Sequence, residues 1–270
     1  FPKFFHPDPS VERRSGLLQP KLNKSNIVGS SITLPYFKVL SENKDLTIKP
    51  TVFDDRIYML QNEYRQKNEN SSFIADFGFT KGYKSSLSEN RNSMSHLFSK
   101  YNLNLNLEEY DNSKLDIFLE KVSMDTYLKI FENVLITDKT LEQDLKDHNT
   151  MTSGAKLTLD KHNFNFTAGI TSYENLQESK NNDKYQYVLP YFDLSTTLFS
   201  NELGSVTFSS SGNNKLTNTN NLRSTVTNNF NFQSTDKYSK YGFVTNYQLY
   251  FKNLNAVAKN DEKYKSSPQS

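Results

Sequence analysis

The sequence predicts an all-β chain: an antiparallel transmembrane β-barrel, present in part, of roughly a dozen meandering strands behind a short extended N-terminal connector. Three observations carry this. The stretch "YNLNLNLEEY", Tyr101 to Tyr110, sets Leu103, Leu105 and Leu107 against Asn102, Asn104 and Asn106, the period of two of a strand with one oily face. Only 35% of the 270 residues are hydrophobic and mean hydropathy is −0.73, yet there are 20 Phe and 16 Tyr. Disordered chains are poor in aromatics, whereas a barrel with a wet lumen needs lipid-facing apolar residues and a polar opposite face. No run approaches the roughly 20 apolar residues of a membrane helix, so a membrane location requires strands.

The elements follow in order. Residues 1–26 hold four of the eight prolines (Pro2, Pro7, Pro9, Pro20) and little alternation, which reads as an extended connector. "SSITLPYFKVL" and "DLTIKPTVF" are β-rich runs joined by the polar turn "SENK". "RIYMLQNEYRQK" follows an Asp54-Asp55 turn. "SSFIADFGFTKGY" places Phe73, Ala75, Phe77 and Phe79 on one face, with Asp76 and Gly78 on the other. "KLDIFLEKVS" opposes Leu115, Ile117 and Leu119 to Lys114, Asp116 and Glu120. "GAKLTLDKHNFNFTAGI" reads as a hairpin turning near Lys161-His162. "KYQYVLPYFDLSTTLF", "LGSVTFSSSG", "LRSTVTNNFNFQ" and "YGFVTNYQLYFKNL" continue the series. Many of these runs reach the ~9–12 residues that a tilted strand needs to cross a bilayer. Two stretches differ. Thr140 and Gln143 have capping-box spacing, which predicts a short helix near 140–147. "SMDTYLKIFENVL" fits strand and helix alike. With 9 glycines in the chain, tight turns fall largely to Asn and Asp, which tolerate positive φ.

Candidate chemistry is sparse. Thirty-two basic and 30 acidic residues leave a net charge of +2, and no basic stripe interleaved with stacking aromatics makes a case for nucleic acid. There is no cysteine, so this stretch offers no disulfide or thiolate metal ligand. His6, His96, His148 and His162 show no metal-binding spacing, and no cofactor is expected. Ser41-Glu42-Asn43-Lys44 fits SxxK, but its partner motifs are missing and it lies in a turn. No G-x-G-x-x-G, P-loop or nucleophile elbow occurs, so no residue is predicted to be catalytic. Pro35 and Pro50 are more informative. Proline cannot donate a ladder hydrogen bond, so strand prolines mark edges or bulges. The pair reads as an edge protected against aggregation or as a seam meant to open, and Pro190 is a third strand proline. The rows of Asn, Thr and Ser fit a watery lumen and the solvent face of a soluble sheet equally.

"HPDPSVERRSGLLQPKL" is more specific. It resembles the junction between periplasmic domain and barrel in the outer-membrane lipopolysaccharide-assembly family LptD (OstA, organic solvent tolerance protein), with the pattern HPDPxxxRxSGfLxP. His6, Pro7, Asp8, Pro9, Arg13 or Arg14, Ser15, Gly16, Leu18 and Pro20 occupy it. "GSSITLPYFKVLSENKDLTIKPTVF" resembles the family's first barrel hairpin, "LQNEYRQ" the E-Y-R that follows and, more loosely, "KVSMDTYL" its VSD-x-x-Y motif. The family's disulfide cysteines have no counterpart here.

The resemblance implies that residues 1–26 end a periplasmic jelly-roll domain and that 27–270 form the N-terminal part of an outer-membrane barrel in a Gram-negative cell. The sequence opens without Met and closes on "KSSPQS" with no aromatic final strand, so a piece of a longer protein is expected. The family's substrate is lipopolysaccharide, which leaves through the lumen and a lateral gate between first and last strands. Prolines at the positions of Pro35 and Pro50 weaken that gate. The implied partners are an LptE-like plug lipoprotein, an LptA-like periplasmic bridge that meets the upstream domain, and outer-membrane lipid. The competing readings are a passive porin or TonB-dependent receptor, and a soluble or surface β-protein.

Overall fold

The structure is a computed structural model that describes residues 13–54, 56–84, 90–132, 135, 149–177, 184–218 and 220–261. The chain divides into two compact units, Phe1–Ser99 with Lys121–Leu141, and Lys100–Glu120 with Glu142–Ser270.

The first unit carries β1 (Gly16–Leu17), β2 (Lys21–Ser25), β3 (Gly29–Thr33), β4 (Tyr36–Ser41), β5 (Lys44–Phe53), β6 (Tyr58–Lys67) and β7 (Ser71–Lys84). It also holds most of β8 (Arg91–Asn104), the end of β9 (Asn112–Val122) and helix α1 (Tyr127–Phe131). The second unit carries the rest of β8 and β9, then β10 (Thr150–Lys161), β11 (Phe164–Asn175), β12 (Tyr185–Asn201), β13 (Gly204–Thr217) and β14 (Asn221–Ser234). The two-residue strands β15 (Lys237–Tyr238) and β16 (Val244–Thr245) precede β17 (Gln248–Lys259). The strands hydrogen-bond in the order β1-β4-β5-β6-β7-β8-β9-β10-β11-β12-β13-β14-β17, with β2 on β3 and β3 on β5, a 15-stranded sheet. From β4 onward this is an antiparallel meander, the architecture the alternation predicts. Two-residue turns set the register where Ser41 faces Lys44 and Lys161 faces Phe164. Asn106, Asn218 and Asn260 take positive φ, as the shortage of glycine requires.

Burial in the first unit is inverted relative to a soluble sheet. On β5, Asp45, Thr47, Lys49 and Thr51 are buried, while Pro50 and Val52 are exposed. On β6 and β7, Gln61, Asp76 and Thr80 are buried, and Leu60, Phe77 and Phe79 are exposed. In the second unit, Glu120 of β9 is buried and its neighbour Leu119 is exposed. A water-soluble sheet hides its leucines; this one hides amides, hydroxyls and carboxylates. Sequence periodicity leaves that choice open, and the strand packing makes it.

The buried face is not polar throughout. Val28, Phe53, Ile57, Met59, Met94 and Phe98 are buried too, as are Tyr127, Leu128, Ile130 and Phe131 of α1. The Phe131 ring lies 5.9 Å from Phe53, 6.3 Å from Tyr83 and 5.2 Å from Tyr127. This resolves "SMDTYLKIFENVL": five residues are too few to hold a helix by propensity, and tertiary burial of one apolar flank supports it. The helix predicted near 140–147 lies outside the described residues.

Within the second unit the opening motif extends beyond β8. Leu105 N–H donates to the Ser113 carbonyl at 2.8 Å and Leu107 N–H to Ser113 Oγ at 3.0 Å. On β13 and β14, Phe208 meets Phe230 at 4.7 Å on one face. On the other, Asn229 donates to Ser209 at 3.1 Å. Pro190 sits where the register slips against both neighbours, between Gly169 and Thr171 and between Val188 and Tyr191, so a bulge absorbs it.

Candidate functional site

The N-terminal hairpin is built around its two prolines. β3 and β4 are halves of one strand, since Thr33 faces Thr51 and Tyr36 faces Ile48 in the same register on β5. The break falls at Leu34-Pro35. Pro50, by contrast, lies inside β5 without interrupting it. Leu34 N–H donates to the Pro50 carbonyl at 3.1 Å, but Pro50 has no N–H to return. Leu18 N–H donates to the Pro35 carbonyl at 2.8 Å, and again the reciprocal donor is missing. The two losses fall on different seams. Pro50 thins the β3/β4–β5 pairing, and Pro35 thins the pairing of the Gly16–Ser25 segment with β3/β4.

The junction motif lies along that outer margin. Gly16 pairs with Phe37, and Ser15 Oγ accepts from Val39 N–H at 2.9 Å. Arg13 pairs with Asp45 and stands over the Phe37 ring at 5.5 Å. Arg14 and Pro20 are exposed. His6, Pro7, Asp8 and Pro9 lie outside the described residues.

Arg13 begins a line of alternating charge. Asp45 also accepts from Arg65 at 2.8 Å, Arg65 reaches Glu63 at 3.6 Å, and Glu63 binds Lys49 at 2.7 Å. Asp45 and Lys49 are buried, so each charge needs its neighbour. Glu63 and Arg65 come from "LQNEYRQ", and Asp45 and Lys49 from the hairpin. Three motifs separated in sequence thus meet on one polar face, an arrangement their spacing does not announce.

A second network was hidden in the sequence. Gln61 Nε2 donates to Asp76 Oδ2 at 2.7 Å, Asp76 Oδ1 faces His96 Nε2 at 3.3 Å, and His96 Nδ1 meets the Tyr127 hydroxyl at 2.7 Å. All four side chains are buried. Burial above all, and the Asp76 charge in addition, push the Tyr127 phenol well above its ordinary pKa. The phenol therefore stays protonated and suits donation to Nδ1, which leaves the Nε2 hydrogen facing Asp76. The His96 ring also stacks on Phe98 at 4.5 Å. Asp, His and Tyr in line suggest acid–base chemistry, but the enclosed network ties α1 to the strands. His96 escaped the sequence reading because its partners lie 20 and 31 positions away.

Gly78 makes this network possible. A Cβ there would lie 2.2 Å from His96 Cε1. Gly78→Ala is expected to destabilise the protein by about 1–3 kcal/mol through overpacking. His96→Ala, which vacates that space, should make the double variant cost less than the sum of the two single costs. Strictly additive midpoints in denaturant unfolding would contradict the contact.

No family model matches the chain. It is similar to LPS-assembly protein LptD of Cupriavidus necator, 28% identical over 173 residues, which covers 63% of this chain and 19% of that protein. It is also similar to LPS-assembly protein LptD of Legionella pneumophila, 25% identical over 174 residues, covering 61% and 20%. A shorter stretch of 54 residues is 41% identical to LPS-assembly protein LptD of Cupriavidus pinatubonensis, covering 20% of this chain and 7% of that protein. The chain therefore matches no more than 20% of the length of these relatives. Over these stretches, and with strands that hide polar and display apolar side chains, the chain is similar to a part of LPS-assembly protein LptD.

Proposed function

We propose that the chain is part of the wall of an outer-membrane β-barrel that delivers lipopolysaccharide to the outer leaflet through its lumen and a lateral gate. In this reading residues 1–26 end a periplasmic domain and residues 27–270 form the N-terminal part of the barrel. The inverted burial of β5 to β7 carries it. Exposed Val52, Leu60, Phe77 and Phe79 suit acyl chains, and buried Asp45, Thr47, Lys49 and Gln61 suit an aqueous lumen.

Lipopolysaccharide has tails that shun water and a phosphorylated, sugar-rich head that shuns hydrocarbon. Its passage needs a polar path joined to a lateral exit. The line Arg13–Asp45–Arg65–Glu63–Lys49 gives the head a polar, charge-balanced path. Pro35 and Pro50 lower the cost of parting the strands by withholding one donor each, and the junction motif from Arg13 to Leu18 ties the incoming chain to the gate strand. No covalent step is required, so the protein acts as a transporter and not as an enzyme. The partners are the glycolipid, an LptE-like plug lipoprotein and an LptA-like periplasmic bridge.

A photoreactive residue at Thr47, on the buried face, tests the path in cells that export lipopolysaccharide. A glycolipid adduct is expected at this position. A correctly inserted barrel that yields none would refute the lumenal route.

A further inference from the structure

The exposed face beside Pro50 is not a flat wall. A depression of about 440 Å³ opens there. It lies across two neighbouring cross-strand rows of β5, β6 and β7. Pro50 faces Leu60, which faces Phe79; in the next row Val52 faces Tyr58, which faces Lys81. The rows are two residues apart along each strand, roughly 7 Å. The first row is wholly apolar. The second ends on a phenol and an ammonium, which are adjacent because Tyr58 and Lys81 are register partners. Lys81 is exposed and forms no ion pair among the described residues. A second cation lies close by: Arg91 donates to the Gly82 carbonyl at 3.1 Å.

We propose that this depression is a binding site for an anionic phosphoglycerolipid. One acyl chain lies against Pro50, Leu60 and Phe79, and the headgroup phosphate is held by Lys81 and the Tyr58 hydroxyl. The chemistry selects the occupant. An apolar trough closed at one end by a cation and a hydroxyl matches an acyl chain joined to a phosphodiester. A zwitterionic lipid brings its own cation to the phosphate and gains less from Lys81. A protein partner would need far more surface, since stable protein interfaces bury on the order of 1,200–2,000 Å². The proposal rests on the reading of this face as lipid-facing. It adds a preferred lipid at a fixed place, next to one of the two prolines of the N-terminal hairpin.

Tryptophan, which this sequence lacks, gives a local reporter in the full-length protein freed of any other tryptophan. Phe79→Trp reports on the depression, and Val52→Trp is a second reporter there should the first variant fold poorly. Leu119→Trp reports on an exposed wall position in the other unit. Each is reconstituted in phosphatidylcholine nanodiscs containing a fixed fraction of acyl-brominated phosphatidylglycerol or acyl-brominated phosphatidylcholine. At the depression, the brominated anionic lipid should associate about fivefold more strongly than the zwitterionic one, the effect of one lysine near an anionic headgroup. At Leu119→Trp the two should quench alike, and Lys81→Gln should abolish the preference at the depression. Equal quenching by both lipids at Phe79→Trp, or a preference that survives Lys81→Gln, overturns the site. Failure of both lipids to quench Leu119→Trp overturns the lipid-facing wall itself, and the site with it.

Discussion

Restoring a backbone donor at both prolines, with Pro35→Thr on the buried face and Pro50→Val on the exposed one, is expected to slow lipopolysaccharide delivery about tenfold. The argument follows the two missing bonds. Leu34 already donates to Pro50 and Leu18 to Pro35. Each substitution supplies the reciprocal N–H at a position where the strands are already in register. A net ladder bond is worth about 0.5–1.5 kcal/mol in water, and more where lipid offers no alternative partner. The two bonds fall one on each seam, so together they raise the cost of parting both seams by roughly 1–3 kcal/mol, and each 1.4 kcal/mol is a factor of about ten in rate if that parting limits delivery. The choice of Thr and Val keeps each side chain matched to its face. Pulse-labelled lipopolysaccharide reaching the cell surface is the measurement. Undiminished delivery by a barrel whose unfolding shows the added stability would remove the gate role of the prolines.

Phe131→Ala is expected to be the most destabilising single change in the first unit, at about 3–5 kcal/mol. Phe131 is fully buried and packs on Phe53, Tyr83 and Tyr127. Its truncation leaves a cavity lined by three aromatic rings attached to β5, β7 and α1. The same change should loosen the helix. The Ile130 and Leu135 amides, which donate to Thr126 and Phe131 carbonyls at 3.0 Å, should exchange with deuterium faster. A cost below about 1 kcal/mol, with the exchange of these amides unaltered, would mean that α1 is not held against the strands by this ring.

Much of the fold was legible because strand periodicity is written one residue at a time. "SSFIADFGFTKGY" gave the faces of β7 correctly, with Phe77 and Phe79 exposed opposite buried Asp76 and Gly78. "SENK" and Lys161-His162 gave hairpins whose registers close as expected. The hairpin prolines were visible for the same reason: a missing N–H is a property of the residue itself. Their division between two seams was not, because it depends on which neighbour each missing donor would have faced. Nor was α1 legible, since "SMDTYLKIFENVL" suits either conformation until Phe53, Tyr83 and His96 lie beside it. His96 looked inert on the chain and became the centre of a buried network only when β6, β7, β8 and α1 brought Gln61, Asp76 and Tyr127 to it.

By itself, then, the sequence determined that the chain is strand after strand, where those strands turn, and which residues share a face. Alternation, turn chemistry and the absence of a long apolar run are local properties, and local sterics read them directly. Only the tertiary structure decided which face is hidden. A row of Leu and a row of Asn are equally regular on paper, and burial is a property of what the neighbouring strands bring to each side.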